Sequence, residues 1–443
     1  MLTFCLLNVT ISILIASPVF GYLGDRFDRR PILAAGLICW ALSVLASSFI
    51  PCGQDMFIWF LFCRAMCGVG EASYVTVAPT LISDLFAKNK RSTMIMLFNF
   101  AIPVGTGIGY GVGAELSSLF GSDITSNWRW GIRLTPVIGL LTLPAIAFLL
   151  PEPARGLADA DGMLVEGDTG RGNTSLKGYF EDLAHLVKNK TYVLVLCGYV
   201  CYYFVYGAFG FWAPTTFMDS ELMDATSADE RQRIRANTPT LFGVIVTAAG
   251  FFGVGFGTIW SVLWKRRGET SADCLVSGLS GLISLPFIFF CIYLTKKLQI
   301  AAWIFAFVGC AFLTAFWAVT MDLTMYIVTP ERRATATGFQ GMIAHLLGDA
   351  ISSFVVGAIS QHLRSTTFSA APDSDAARFY ALQLAMYLPC AFLVFGGGFF
   401  MFAGWFVDAD RQRAHKDTLA ARKQRTRTLL ATSTDFDSTP ERF

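Results

Sequence analysis

Eleven apolar stretches, each 20 residues or longer, run through this sequence of 443 residues. Crossing the hydrocarbon core of a bilayer as an α-helix takes about 20 apolar residues. The stretches lie at residues 2–22, 31–50, 56–84, 93–118, 131–150, 191–217, 239–263, 272–294, 300–328, 334–360 and 379–407. Only 15% of the residues are charged, against about 25% in an average soluble domain. The sequence therefore predicts an all-α polytopic membrane protein with about 11 transmembrane helices.

Basic residues cluster in alternate loops between these stretches. The clusters are Arg26/Arg29/Arg30, Lys88/Lys90/Arg91, the 152–190 segment, Lys265/Arg266/Arg267, Arg332/Arg333 and the tail after Asp408. The positive-inside rule places such loops in the cytosol, which puts Met1 outside and the tail inside. Lys296 and Lys297 are a mild exception. The net charge of +2 excludes the broad basic field of a nucleic-acid-binding protein.

A hydrophilic segment divides the chain into two blocks of spans. Residues 1–150 form an N-terminal bundle of five spans, and residues 191–407 form a C-terminal bundle of six. Within the linker, 151–190, the apolar residues of Leu176–Lys188 recur at helical spacing, which predicts an amphipathic helix on the inner membrane face. The tail, 408–443, is polar and basic, which indicates a disordered cytosolic end attracted to anionic membrane lipids.

Two opposite charges lie inside the third apolar stretch. Arg64 and Glu71 are seven residues apart, so a helix places them on one face, about 10 Å apart along its axis. Charges within a span usually face a water-filled cavity or a partner, and they often mark a substrate or ion path. The alternative is a purely structural pair between helices.

Three further titratable residues lie in later stretches. His345 and Asp349, at i and i+4, share a helix face, where they form either a structural hydrogen bond or a protonation site. Asp322 is another candidate intramembrane acid, although it lies near the inner end of its span.

The first inner loop reads Gly21-Tyr-Leu-Gly-Asp25-Arg26-Phe-Asp28-Arg29-Arg30-Pro31. Its glycines allow close approach of helices, and Asp25 can accept hydrogen bonds from a neighbouring helix N-terminus. With Arg26, Arg29 and Arg30 bridging to carboxylates, the loop predicts a gating latch between the inner ends of the two bundles. A basic loop that only fixes topology is the alternative.

This loop resembles the signature loop of the major facilitator superfamily, except that Asp28 replaces a glycine. Arg64-x-x-x-Gly68-x-Gly70 resembles an arginine motif of the same superfamily. Other segments are similar to the spinster family: Gly68 through Thr80, Phe100 through Tyr110, Trp130-x-x-Arg133-x-Thr135-Pro136, Glu152-Pro153-x-Arg155-Gly156, Phe211-Trp212-Ala213-Pro214 and His345-Leu-Leu-Gly348-Asp349.

The resemblance implies a two-bundle fold and a secondary active transporter that moves an amphipathic lipid by alternating access, coupled to protons. Its cargo would be a lysophospholipid or a sphingosine-1-phosphate-like lipid, in the lysosomal, late endosomal or plasma membrane. On this basis the substrate-binding candidates are Arg64, Glu71, Tyr74, Phe211 and Trp212. The proton-coupling candidates are Glu71, His345, Asp349 and Asp322.

One departure concerns helix order. In the superfamily the signature loop follows the second helix, yet here it follows the first apolar stretch, so the first helix and its acidic residue are expected to be absent and transport to be weak. An alternative function follows, a non-transporting isoform that binds lipid or associates with a full-length transporter.

An integral-membrane enzyme is disfavoured because no nucleophile with a base and no dense metal cluster is visible in the aqueous segments. The 11 cysteines sit mostly alone inside apolar stretches, without metal-binding spacing. No cofactor or metal is expected, and the expected partners are the lipid substrate, protons and membrane lipids.

Overall fold

The computed structural model describes residues 2–51, 56–86, 88–106, 128–155, 157–159, 176–368 and 374–437. Within these ranges the chain is built from helices and short connections. The front half contains α1 (Leu2–Arg26), α2 (Arg29–Phe49), α3 (Phe57–Leu85), α4 (Lys88–Asn99) and α5 (Trp128–Phe148). The linker contains α6 (Leu176–Lys188). The back half contains α7 (Lys190–Leu222), α8 (Ala228–Arg266), α9 (Ala272–Leu294), α10 (Gln299–Thr314), α11 (Phe316–Ile327), α12 (Arg333–Ala344), a π-helical turn (His345–Ala350), α13 (Ile351–Thr366), α14 (Asp375–Ala385) and α15 (Leu388–Ala403), and the tail forms α16 (Val407–Asp437).

Eight helical segments of the described part are long and apolar enough to cross a membrane. They are Arg29–Phe49, Arg129–Phe148, Lys190–Leu222, Ala228–Arg266, Ala272–Leu294, Gln299–Ile327, Pro330–Thr366 and Asp375–Ala403. Helices α1 and α3 cover the predicted spans at 2–22 and 56–84. The span predicted at 93–118 begins in α4 and helical residues 101–106, and its remainder lies outside the described residues. The all-helical membrane fold is confirmed, while the number of spans stays a prediction.

The segment 218–238, which lies between two of the predicted spans, is largely helical. Helix α7 continues to Leu222 and α8 already begins at Ala228. The start of α8 is fixed by Ser227, whose hydroxyl accepts a hydrogen bond from the backbone N–H of Glu230, and the Glu230 carboxylate in turn accepts one from the backbone of Thr226. This reciprocal capping stabilises a polar helix start that apolar periodicity cannot reveal.

The tail is also helical rather than disordered over its described residues. Near the start of α16, the carboxylate of Asp410 accepts hydrogen bonds from the backbone N–H (2.9 Å) and the hydroxyl (2.8 Å) of Thr191. Thr191 lies at the beginning of α7, so Asp410 caps the first turn of that helix. The tail helix is thereby tied to the back half.

The two halves approach closely where α1 packs along α12. A Cβ atom added at Gly21 would lie 2.9 Å from the carbonyl oxygen of Ala334. One added at Gly338 would lie 2.5 Å from the carbonyl oxygen of Ser17. Only glycine fits at these two positions, so the small residues of the first loop set the distance between the halves.

The linker helix α6 has the bounds that its periodicity predicts. Leu186 is buried against the core of the back half, and Tyr179 contacts the ring of Tyr22 edge-on at 5.9 Å. Phe180, on another face of α6, is exposed. Helix α6 and the start of α16 lie at the same end of the molecule. We call this end the linker side.

Candidate functional site

The first loop contacts the back half through Asp25. This fully buried carboxylate accepts hydrogen bonds from the backbone N–H groups of Ala334 (2.9 Å) and Thr335 (2.7 Å), at the start of α12. The first N–H groups of a helix have no partner within the helix and carry its positive dipole end. Asp25 therefore joins the front half to the back half by a charge-assisted contact, of the kind expected from the loop sequence.

Arg29 and Arg333 share one carboxylate. The Nη2 atom of Arg29 lies 2.6 Å from Asp84, and the Nη1 atom of Arg333 lies 3.3 Å from the other oxygen of the same side chain. Arg29 and Asp84 are completely buried. Since Asp84 lies on α3 and Arg333 on α12, this triad is a second contact between the halves.

The linker helix supplies a third contact. Asp182 on α6 pairs with Arg26 of the front half and with Arg332 of the back half, both at 2.6 Å. One carboxylate of the linker helix thus bridges the two halves. Sequence reasoning placed α6 on the membrane surface but gave no role to Asp182.

Asp322, in the middle of α11, lies in a fourth charge cluster. It pairs with Arg91 of the front half at 2.7 Å and with Lys265 of the back half at 3.0 Å. Two cations therefore pair with this acid, although Lys265 is shared with Asp273 at 2.7 Å, and the acid lies with the other charges of the linker side rather than beside Glu71. These four contacts form what we call the linker-side latch, whose residues are Asp25, Arg26, Arg29, Asp84, Arg91, Asp182, Asp322, Arg332 and Arg333.

Not every basic residue of the loop belongs to the latch. Arg30 is exposed and makes no ion pair within the described part of the chain. In contrast, the buried Arg29 keeps two N–H groups, at Nε and Nη1, without a hydrogen-bond partner among the described residues. Unsatisfied buried donors cost free energy, so the latch is closed but not maximally stabilised.

A second group of polar side chains lies in the spans, well away from the latch. The Nδ1 atom of His345 lies 2.9 Å from Asp349 Oδ2, and the two side chains are 23% and 28% exposed. Both residues belong to the π-helical turn, a rare geometry that is frequent at functional sites. The other oxygen of Asp349, Oδ1, is buried and has no hydrogen-bond partner among the described residues.

Glu71 on α3 faces this pair from the front half. It is partly buried and lies close enough to His345 and Asp349 to interact electrostatically with both. Arg64 does not join them. Its guanidinium lies over the ring of Phe60 at 5.1 Å and has no carboxylate partner in the described part of the chain.

Tyrosines of α7 complete the back-half wall. The hydroxyls of Tyr199 and Tyr203 are 3.0 Å apart, and the Tyr203 ring meets the imidazole of His345 edge-on at 5.5 Å. Tyr206 packs edge-on against Trp317 at 5.0 Å. The i, i+4 spacing of Tyr199 and Tyr203 within an apolar span was the available signal, and sequence reasoning missed it. Glu71, His345, Asp349, Tyr199 and Tyr203 are called the central cluster below.

The remaining sequence candidates lie on the same elements. Tyr74 follows Glu71 by three residues on α3 and packs against the small cluster of Leu33, Val77 and Leu81. The Nε1 atom of Trp212 donates to the carbonyl oxygen of Ser353 at 2.9 Å, and the Phe211 ring meets the Trp212 ring edge-on. Trp212 therefore helps to join α7 to α13.

Two helical halves, joined by a linker and facing each other across buried charges, define a membrane transporter of the major facilitator type. Residues 2–353 match the family model of the Major Facilitator Superfamily. Solved structures agree on the fold. A bacterial homolog of the human lysosomal transporter spinster, in an inward-facing and unoccupied conformation, has a TM-score of 0.56 and 19% identity, with 92% of this chain and 96% of that chain covered. The proton:xylose symporter XylE has a TM-score of 0.59 and 18% identity, with 88% and 85% covered.

Sequence similarity is more specific. The chain is 37% identical over 406 residues to protein spinster homolog 1 of Mus musculus, covering 91% of this chain and 73% of that protein. It is 36% identical over 406 residues to the sphingosine-1-phosphate transporter SPNS2 of Mus musculus, covering 91% and 70%. The chain belongs to the spinster family of the major facilitator superfamily, and is a multi-pass integral membrane protein of this transporter family.

Proposed function

We propose that this protein transports a lysophospholipid or a sphingosine-1-phosphate-like lipid by alternating access, with the central cluster coupling transport to protons. The observation that carries the proposal is the hydrogen-bonded pair of His345 and Asp349 in the back half, with Glu71 of the front half within electrostatic range of both. A site built from both halves changes its geometry whenever the halves rock against each other.

The central cluster and the adjoining Trp317 have polar atoms available for a ligand. Asp349 Oδ1 is a buried acceptor without a partner among the described residues, and Trp317 Nε1, beside Tyr206, is a buried donor in the same situation. Buried polar atoms are nearly always hydrogen-bonded in folded proteins, and the exceptions call for an explanation. A cargo headgroup or an exchangeable proton supplies one.

Arg64 suits the anionic head of the cargo. Its guanidinium lies over an aromatic ring and has no carboxylate partner in the part of the chain that the structure describes, so its charge remains available to a phosphate. The fork of an arginine binds phosphate through two parallel hydrogen bonds. The similarity to SPNS2, a transporter of sphingosine-1-phosphate by name, supports a lipid of this kind as cargo.

The linker-side latch supplies the gate in this mechanism. It joins the two halves at one end, as alternating access requires of a state that is closed on that side. Opening the space between the two halves toward the linker side would break the contacts of Asp25, Asp84, Asp182 and Asp322. In this proposal the linker side is cytosolic.

The test is uptake of sphingosine-1-phosphate by proteoliposomes across an imposed pH gradient. Glu71→Gln should flatten the pH dependence between about pH 5 and 8, the range in which histidines and perturbed carboxylates titrate. Glu181→Gln, the same change on the exposed face of α6, should leave the profile intact. Uptake no greater than in protein-free liposomes would overturn the cargo assignment. A pH profile that survives both Glu71→Gln and His345→Gln would overturn the coupling assignment.

A further inference from the structure

A cavity of about 370 Å³ lies on the linker side, beneath the latch. It is separate from the central cluster but shares Arg91 and Arg333 with the latch, so its effect on closure rests on the gating role proposed above. Its polar lining includes Arg91, Tyr326, Arg333, Asp408, Arg411 and His415. The volume falls in the range of pockets that hold small organic ligands, about 300–1,000 Å³.

The charged lining comes from three parts of the chain. Arg91 belongs to the front half, Arg333 to the back half and Arg411 to the tail helix α16. An anion bound among them would contact both halves and the tail at once. It would therefore add a contact across the latch.

The lining is electropositive. Three arginines face one aspartate, Asp408, so the lining carries two more positive than negative charges when His415 is neutral. Arg91 and Arg333 already pair with the latch carboxylates Asp322 and Asp84. Arg411 makes no ion pair within the described residues, so it is the arginine of the lining that is not already held by a carboxylate at salt-bridge distance.

Arg411 is positioned by an aromatic ring. Its guanidinium lies over the ring of Tyr326, 5.1 Å from the centroid. Tyr326 is itself held, because its hydroxyl donates to Asp273 at 2.8 Å. A stacked guanidinium keeps its N–H edge available for planar, two-point recognition of phosphate.

The cavity also lies near the level of lipid headgroups. Helix α15 ends at Ala403, and Trp405, which follows it, is 79% exposed. Tryptophan is enriched at membrane–water interfaces. Asp408 of the cavity is only three residues further on, so the site is within reach of a headgroup of the adjacent leaflet as well as of a dissolved anion.

We propose that this cavity binds a polyphosphorylated headgroup, that of a phosphoinositide or a free inositol phosphate, and that the bound anion stabilises the state in which the linker side is closed. The chemistry is the same for both sources. By linkage, an anion that binds the closed state more tightly shifts the population toward it, and breaking the latch weakens the binding of the anion.

The experiment uses the full chain in phosphatidylcholine nanodiscs, with soluble inositol trisphosphate titrated by calorimetry. Arg411→Ala should weaken binding about tenfold or more, the usual effect of losing one hydrogen-bonded charge. Lys416→Ala removes the same charge from the same helix but outside the cavity, and should change affinity less than about twofold, as expected for a solvated surface charge. Asp408→Asn should tighten binding, because it removes the one negative charge of the lining.

Two further measurements separate the sources and test the coupling. Nanodiscs with phosphatidylinositol bisphosphate are compared with nanodiscs of equal charge made with phosphatidylserine, using accessibility of the linker side to a thiol reagent as readout. Closure by the phosphoinositide alone assigns the membrane source, and closure by soluble inositol trisphosphate assigns the dissolved source. Asp182→Asn, which loosens the latch outside the cavity, should weaken the trisphosphate affinity.

Equal weakening by Arg411→Ala and Lys416→Ala would overturn the proposal, because it would mean general attraction to a basic tail. Equal closure by phosphatidylserine would do the same. If Asp182→Asn leaves the affinity for inositol trisphosphate unchanged, the proposed coupling between the cavity and the latch is wrong.

Discussion

The latch and the central cluster both bring charged side chains from the two halves together, yet they treat those charges differently. In the latch, Arg29 and Asp84 are completely buried and paired at 2.6 Å. In the central cluster, His345 and Asp349 are about a quarter exposed, and one oxygen of Asp349 has no partner among the described residues. The latch pairs its carboxylates with buried cations, although Arg29 keeps two N–H groups without partners among the described residues, whereas the central cluster leaves a carboxylate oxygen without one. Substitutions should therefore affect stability in the first region and transport in the second.

The largest effect is expected for Asp84→Asn. This change leaves Arg29 and Arg333 without their shared carboxylate, and removing one partner of a buried ion pair costs about 3–5 kcal/mol. Thermal unfolding of the purified protein should show a clear loss. Arg30→Ala, in the same loop but exposed, should change stability by less than about 0.5 kcal/mol. Equal losses of stability in the two variants would show that the buried ion pairs of the latch do not stabilise the fold.

Arg64→Ala should have the next largest effect, on binding instead of folding. Loss of a hydrogen bond to a charged group should weaken lysophospholipid affinity by about 10–100-fold, while the melting temperature stays near that of the wild type. Arg64→Lys should also bind less well, since an ammonium cannot reproduce the two-point grip. Affinity that is unchanged in both variants would remove Arg64 from the site.

Tyr203→Phe sharpens the comparison within the central cluster. It deletes one hydroxyl of the Tyr199–Tyr203 pair while leaving the aromatic contact with His345. We expect a stability loss of about 1 kcal/mol or less, with a several-fold decrease in transport and a shifted pH profile. A loss of stability comparable to that of Asp84→Asn would mean that this pair is structural.

Asp182→Asn should act mainly on the conformation of the linker side. Its partner Arg332 is 26% exposed, which limits that pair to about 1 kcal/mol, whereas its other partner, Arg26, is buried. The expected signature is faster labelling of a linker-side thiol, with a loss of melting temperature smaller than that of Asp84→Asn. Slower labelling would contradict a role for α6 in holding the linker side closed.

In both the latch and the central cluster, the sequence predicted geometry within a short segment better than contacts between distant segments. Asp25 and the i, i+4 pair of His345 and Asp349 are contained in short segments, so their local geometry could be anticipated. The partners of the arginines could not, because Asp84 and Asp182 lie 55 and 156 residues away from Arg29 and Arg26. Only the packing of the halves brings them together.

Two sets of candidate residues have neighbours that spacing along one helix does not reveal. Arg64 and Glu71 share a helix face by spacing, but Glu71 finds its neighbours on the back half and Arg64 lies against Phe60. Asp322 was noted as an intramembrane acid, yet it is shared by Arg91 and Lys265 at the linker side. Spacing along one helix shows which side chains share a face of that helix. The helices packed against that face determine which groups those side chains contact.

The π-helical turn at His345–Ala350 has a mechanical consequence. Such a turn holds one residue more than an α-helical turn, and that surplus residue can pass to a neighbouring turn by exchanging backbone hydrogen bonds one at a time. Each such step rotates the side chains it passes by about 100° around the helix axis. Such a step would turn His345 and Asp349 toward or away from Glu71, while the packing of α12 and α13 on either side of the turn stays unchanged.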